Sequence, residues 1–508
     1  MLEEERKYDV DAGFVLPDLG AVVPPGGRLV TRPPVTLKAT YYDTADLRLA
    51  RAGVSLRHRR GDDVPWTVKL PTGSPGTRHE ISRRGGPTAI PAELRTLVTV
   101  WARGSALAPV TVLRTSRRVY HVCDSRDSVL VEVADDIVSV VDGARIVGRF
   151  REVEVERKAG RPKLLDRIEA LLRGAGAAAG EFTPKHVRAL GPAATGPADL
   201  PAAAPPQRRS SAGDVVCAAI RQDVARILAH DPLVRLREPV GQDTAVHQMR
   251  VGVRRLRSDL RTFGVLLEPK WAGELRTELG WIAGLLGAAR DAEVLRARLR
   301  ATAAADPLAP LDSASVARVD ADLAIRSEDA LTALDKGMVS ERYASLVDSL
   351  VAAAQHPVLT VLARAPAAEI LPRLVSKPFR RMAYGKHAVD GAEDLDPGGP
   401  DAAWHEVRIH GKRARYAAEA VAPALGGDAR RLAQALANVQ NLLGEHQDAA
   451  VAAQTWLAIA QTDPDDHALA VTAGRLVERE RAAIRAVRTR FPAAWRAASR
   501  RRVAGWLT

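Results

Sequence analysis

From residue 2 to about 190 apolar and polar positions alternate with a period of two, and from about 213 to 505 apolar positions recur every three to four residues. The first pattern predicts strands and the second helices; strands first and helices afterwards predict two separate domains, an α+β multidomain chain. In the first part the division of faces repeats. Glu3, Glu5 and Lys7 share one face of the opening strand; Arg57 and Arg59 oppose Leu56 and His58; Thr67 and Lys69 oppose Trp66, Val68 and Leu70. Glu132 and Asp136 oppose Val131 and Val133, and Glu152, Glu154 and Glu156 oppose Val153 and Val155. A solvated edge accounts for any one such strand. An antiparallel barrel with a polar interior and a packed exterior accounts for all five together.

The helical half carries a one-sided element twice. At 100° per residue His247, Arg250, Arg254, Arg257 and Arg261 fall on one arc of a helix, and Met249, Val253, Leu256, Leu260 and Phe263 on the opposite one. A second copy starts at His405: offsets +3, +7, +8 and +10 carry Arg250, Arg254, Arg255 and Arg257 in the first and Arg408, Lys412, Arg413 and Arg415 in the second. The segment Leu286 to Val294 begins 39 residues after its histidine, and Leu443 to Val451 begins 38 after its own, so the chain holds a tandem duplication of roughly 158 residues. A solvated face explains most charged stripes. It does not explain two copies with one spacing, each headed by histidine. Asp291 and Asp448, at matching places, are candidates to pair with the stripes or to cap helices. Residues 301 to 345 lack the stripe and are expected to supply packing helices, and 191 to 212, rich in Pro, Ala and Gly, to form a linker.

Charge narrows the partner. A formal net charge of +13 and a pI near 10.0 imply a polyanion, whether nucleic acid, polyphosphate, nucleotide or anionic membrane surface. Aromatic residues are only 4%, with no strand interleaving basic and stacking side chains, which argues against single-stranded nucleic acid. Cys123 and Cys217 cannot build a disulfide framework, the N-terminus opens on acidic residues, and no apolar run is long enough to span a bilayer. A soluble cytoplasmic protein is expected. A phosphate-binding Gly-rich loop with its lysine is absent, and His405 and His410 stand five apart, not the four of a zinc-protease helix.

Inside a polar barrel the carboxylates Glu3, Glu5, Glu132, Asp136, Glu152 and Glu154 suit a hard divalent cation, Mg²⁺ or Mn²⁺, and Lys7, Arg57, Arg59 and Lys69 suit phosphate oxygens. These residues carry a resemblance. Glu3-x-Glu5-x-Lys7, Tyr41 to Thr44, Leu56-Arg57-x-Arg59, Trp66-x-x-Lys69, Arg78-x-Glu80 and the late Glu-x-Glu-x-Glu strand, over residues 1–190, resemble the CYTH domain of the triphosphate tunnel metalloenzymes. The resemblance implies a closed eight-stranded tunnel that hydrolyses or rearranges a triphosphate with a divalent metal. By motif, Glu3, Glu5, Glu152 and Glu154 with Asp136 would hold metal, and Lys7, Arg57, Arg59, Lys69 and Lys185 would grip phosphate. Glu3, Glu5 and Lys7 would be central to catalysis, and either Arg114 or Arg117 matches the family's later arginine.

The paired elements of 213–505, H-x-x-R-V-x-x-R-R-L-R with L-G-x-x-R-D and their second copies, resemble the CHAD domain. That resemblance implies an all-α pseudo-symmetric bundle whose histidines and basic residues bind inorganic polyphosphate: His247, Arg250, Arg254, Arg255, Arg257, Arg261, His405, Arg408, Lys412, Arg413 and Arg415. Lys377, Arg380, Arg381 and Lys386 either extend that surface or form a generic exposed cluster. The leading expectation is inorganic triphosphate hydrolysis coupled to polyphosphate binding, in the cytoplasm or on polyphosphate bodies. A noncatalytic polyphosphate-docking protein and a nucleotidyl cyclase are the alternatives. Protonation of His247 and His405 is expected to tighten binding below about pH 6.5.

Overall fold

The computed structural model describes residues 2–72, 77–179, 183–240, 243–305, 310–385 and 390–507; the side chains of Leu2, Glu3, Ala179, Pro239 and Val240 lie outside the described set, as does Lys386. The chain divides into two compact units, Met1–Asp199 and Leu200–Thr508.

In the first unit the alternating segments form β1 (Leu2–Val10), β2 (Arg28–Thr31), β3 (Val35–Asp43), β4 (Ser55–Arg60), β5 (Trp66–Pro71), β6 (Thr77–Arg83), β7 (Ala108–Cys123), β8 (Val129–Asp142), β9 (Arg145–Arg157) and β10 (Ala178–Ala179). Eight of them run antiparallel in the order β1-β6-β5-β4-β3-β7-β8-β9, and β9 pairs back onto β1 with Glu5 opposite Glu156 and Lys7 opposite Glu154. This closes the barrel and leaves none of the eight as an edge. The strands β2 and β10 are short additions on β7 and β1. Asp142 faces Arg145 across a two-residue turn, where Gly143 at φ +58° supplies the left-handed residue that reverses β8 into β9.

Short helices α1 (Arg48–Arg51), α2 (Ala92–Leu97) and α3 (Thr99–Ala102) lie between strands, and α4 (Pro162–Gly174) and α5 (Lys185–Leu190) follow them. The apolar strand faces point outward, as the alternation predicts. Tyr8, Val122, Val131, Val133, Val153 and Val155 are buried with Leu165, Ile168 and Leu172 of α4, each such side chain stabilising the unit by about 1.5–3 kcal/mol. Burying the outside of the barrel frees its inside for charge. The Tyr41 to Thr44 segment has a structural part as well: buried Asp43 accepts hydrogen bonds from the backbone of Thr44, Leu49 and Ala50, fixing the chain into α1.

Residues 191–199 stay with this unit, since Asp199 accepts from Arg51 at 2.7 Å and pairs with Arg103. Residues 200–210 carry no helix or strand. The second unit opens with α6 (Ala212–Arg235), whose first turn is held by a capping box of Ser211 and Asp214. It continues through α7 (Ala245–Thr262), α8 (Pro269–Ala304), α9 (Ser313–Met338), α10 (Glu341–Gln355), α11 (Ala367–Tyr384), α12 (Asp401–Leu425), α13 (Gly427–Ala460) and α14 (His467–Ser499). Met249, Val253, Leu256, Leu260 and Phe263 are all buried, so the apolar arc of α7 is a core face. Gly252 lets α6 approach: a Cβ there would stand 2.9 Å from Ile227 Cγ1. The two copies become equivalent helix pairs, α7 with α8 and α12 with α13.

Candidate functional site

The barrel encloses a cavity of about 500 Å³. Among the described residues its wall carries Glu5, Lys7, Arg57, Arg59, Lys69, Arg117, Glu132, Glu154 and Lys185, which alternation along six strands and the first turn of α5 bring together. Lys185 Nζ lies 3.0 Å from Asp136 Oδ2, 2.7 Å from Glu152 Oε1 and 2.6 Å from Glu154 Oε1. Lys7 pairs with Glu154 and stands 3.5 Å from Glu5 Oε1 and 3.8 Å from Glu152 Oε1. Arg117 grips Asp136 through two nitrogens at 2.8 and 2.6 Å and reaches Glu154 at 2.7 Å. Asp136 and Glu152 therefore sit one layer behind the wall, reached through the cations.

Electrostatics follow from this interleaving. Burial works against ionising Glu154, but Lys185, Lys7 and Arg117 outweigh it and hold the carboxyl well below its usual range. Glu152 goes the other way, because burial exceeds the help from Lys185 and Lys7. Lys7 and Lys185 are buried, yet their carboxylates push both pKa values up, so both stay charged. Arg57, whose Nε is buried without a hydrogen-bond partner, is kept charged against its burial by Tyr41 and Glu80.

Of the two arginines the motif left open, Arg117 lines the cavity and Arg114 is exposed; three residues apart on one strand, they occupy opposite faces. Glu3 shares the inward parity of β1, and its side chain is outside the described residues. The wall also includes Glu156, as the alternation predicts, and Tyr41, Arg78, Glu80, Lys158 and His186, which the strand alternation did not assign. Arg78 and Glu80 have the parity of a charged face and were legible in principle. His186 follows the last strand pairing, where no periodicity speaks.

In the helical unit α7 packs against α12, and the stripes meet. Lys412 is buried, and burial followed by Arg254, Arg408 and Arg250 presses its pKa down to about 5. Arg250 donates to Asp291 at 3.2 Å, and the charge of Asp448 acts on Arg408, so both matched aspartates flank the stripes. Further along, Arg261, Arg413 and His410 line a second cavity of about 390 Å³ with Arg381 and Glu406, and Arg257 is pressed by burial and then by Arg276 of α8. Arg276 and His410 carry no signal in the duplicated spacing.

Two arginines of the expected anion-binding set share one carboxylate. Arg255 pairs with Glu419 and stacks its guanidinium over Tyr416 with 5.0 Å to the ring centroid, and Arg415 donates to the same Glu419 at 2.6 Å. One buried-side carboxylate thus ties the two copies together through residues grouped above with the anion-binding set. The histidines are pinned: His247 Nε2 stands 3.4 Å from Asp243, and His405 hydrogen-bonds Gln447. Burial and then Arg290 lower the His247 pKa, so its protonation falls at lower pH than the free-imidazole value behind the expected pH 6.5 threshold.

Comparison with known proteins decides the lineage. The CYTH domain family matches residues 1–182 and the CHAD domain family residues 218–457. The chain is a fusion of a CYTH domain and a CHAD domain. Uncharacterized proteins from two strains of Mycobacterium tuberculosis are each 34% identical over 483 residues, covering 89% of this chain and 87% of theirs. Among solved structures, PptA from Streptomyces chartreusis is 26% identical with a TM-score of 0.45, covering 56% of this chain and 100% of its own. The CHAD domain from the plant Ricinus communis is 24% identical with a TM-score of 0.41, covering 56% and 94%.

The CYTH family implies a divalent metal, and the donors can be weighed against it. Glu5, Glu132, Asp136, Glu152 and Glu154 are hard oxygen ligands of the right class. Among the described residues no three of them are drawn into one ligand set; their oxygens turn onto Lys7, Lys185, Arg117 and His121. The donor chemistry fits a hard divalent cation, and the ammonium groups are what a metal and a polyanion would compete with. No described helix of either domain is long and apolar enough to cross a membrane.

Proposed function

We propose that the CYTH tunnel hydrolyses a linear inorganic triphosphate with Mg²⁺ or Mn²⁺ and that the CHAD domain binds inorganic polyphosphate. The observation that carries the reading is the wall of the 500 Å³ cavity, where fixed cations alternate with carboxylates inside a closed barrel. A triphosphate repels a nucleophile until its charge is neutralised, and Lys7, Arg57, Arg59, Lys69, Arg117 and Lys185 supply positive charge fixed on the tunnel wall. Glu5, Glu152 and Glu154, with Glu3, would hold the metal, which contributes charge neutralisation and polarisation of a phosphoryl oxygen. On release from the carboxylates, Lys7 and Lys185 turn from ion-pair partners into phosphate ligands. No Ser or Cys nucleophile is required.

The CHAD reading rests on Arg250, Arg254 and Arg408, cations of both copies close enough to oppose one another's charge and the protonation of Lys412. A multiply charged linear anion relieves that opposition. The test is one assay: the purified chain with Mg²⁺ or Mn²⁺, offered triphosphate, ATP and long-chain polyphosphate, with phosphate and cyclic AMP both measured. Phosphate from triphosphate is expected. Cyclic AMP from ATP would replace the hydrolase with a cyclase, and binding of polyphosphate with no turnover of any substrate would leave a docking protein.

A further inference from the structure

Each carboxylate on the described tunnel wall already has a partner, a cation for all but Glu132, which meets the His121 ring. Glu5 faces Lys7, Glu80 lies 3.1 Å from Lys69, Glu132 lies 3.0 Å from His121, Glu154 is shared by Lys7, Lys185 and Arg117, and Glu156 pairs with Lys158. One nitrogen base on the wall is different. His186, at the start of α5, is 4% exposed, and its Nε2 is buried with no hydrogen-bond partner. Its ring lies flat on Tyr41, centroids 4.9 Å apart and planes 9° from parallel, so the imidazole is held in one orientation beside Lys185. A buried polar atom without a partner costs about 1–3 kcal/mol, a cost that a hydrogen bond in the substrate complex would remove.

Resting on the hydrolase reading, we propose that His186 Nε2 is the base that accepts the proton of the attacking water in the tunnel. The water oxygen forms a bond to a terminal phosphorus; the P–O bond to the bridging oxygen breaks; that oxygen leaves with the electron pair as pyrophosphate; and the water proton passes to Nε2, to be lost to solvent after product release. Hydrogen bonds of this kind tighten only when substrate is bound. In the free protein burial, then Arg78, Lys7 and Arg57, lower the His186 pKa to about 3, so the ring is neutral. A bound triphosphate offsets those cations and raises its basicity when it is needed. The groups facing the ring are Lys7 of β1, Tyr41 of β3, Arg57 of β4 and Arg78 of β6.

The experiment uses the full chain with Mn²⁺, comparing wild type, His186→Gln and His186→Ala. Both variants are expected to lose at least about 100-fold in kcat with KM within about threefold, to bind the imido analogue of triphosphate as wild type does, and, for His186→Ala, to regain rate when imidazole is added. A kcat within threefold of wild type in His186→Gln overturns the assignment. So does a loss that imidazole leaves unrepaired and that weakened analogue binding accompanies, because the ring then only supports Tyr41. Absence of phosphate release by wild type overturns the hydrolase reading itself, and the base with it, whereas failure confined to the variants' predicted pattern leaves that reading standing.

Discussion

The two domains handle positive charge in opposite ways. In the CYTH tunnel Lys7, Lys185 and Arg117 are interleaved with Glu5, Asp136, Glu152 and Glu154, and their pKa values rise. In the CHAD domain Arg250, Arg408 and Lys412 face one another, and theirs fall. Mixed charge makes a site that is stable when empty and can exchange an ion-pair partner for metal and phosphate. Single-sign charge makes a site under strain that an anion relieves. The first suits chemistry on a short substrate, the second retention of a long one.

The sharpest way to break this comparison is to remove the metal. Excess EDTA should lower phosphate release from triphosphate by at least about 100-fold and leave polyphosphate binding intact, measured by retention on labelled chains; equal loss of both would mean that the two sites do not differ in kind. Next in size, reversing charge at Arg250 and Arg408 together should weaken polyphosphate binding by at least about 100-fold, given several kcal/mol for paired charges in a focused field, as read by calorimetric titration. Unchanged affinity would remove the stripes from the site.

A smaller effect separates the Glu419 tie from the stripes. Arg255→Met should destabilise the CHAD domain by about 1–3 kcal/mol in chemical denaturation, since Glu419 loses a charged partner, while polyphosphate affinity changes less than in the double reversal. The core beside that tie gives a pH signature. Burial raises Asp223 to about 7 and Asp259 well above its ordinary value. The folded state therefore holds protons that the unfolded state has released, and stability should fall as pH rises from about 4 to about 7, the reverse of an ordinary paired carboxylate. Asp223→Asn should flatten that slope in denaturation midpoints; a slope unchanged by the substitution places its origin elsewhere. Smallest is proton uptake. Lys412, neutral above about pH 5 in the free domain, should gain a proton when polyphosphate arrives, so binding heats should differ between buffers of high and low ionisation enthalpy and affinity should rise as pH falls. Identical heats would show that Lys412 does not meet the anion.

Alternation made the barrel legible because a polar interior inverts the usual pattern on several strands at once, and it brought Glu5, Lys7, Arg57, Arg59, Lys69 and Glu154 to one wall. Duplication made the stripes legible in the same way, by repeating one spacing. What stayed hidden depends on neighbours. Arg254 and Arg255 differ by one residue, 100° around α7, and only the position of Glu419 on α12 pairs the second with a carboxylate. Arg114 and Arg117 lie on opposite faces of β7, and only the register with β8, which sets Arg117 beside Asp136, says which one is inside. His186 is placed by the seating of α5, and nothing local announces it.

The most direct test of the central claim is phosphate release from triphosphate in Mg²⁺ or Mn²⁺ by wild type and by Glu5→Ala, side by side, with circular dichroism confirming the fold. Steady release by wild type and a fall of at least about 100-fold in the folded variant are predicted. Wild-type turnover in a folded Glu5→Ala protein would contradict the assignment of chemistry to the tunnel.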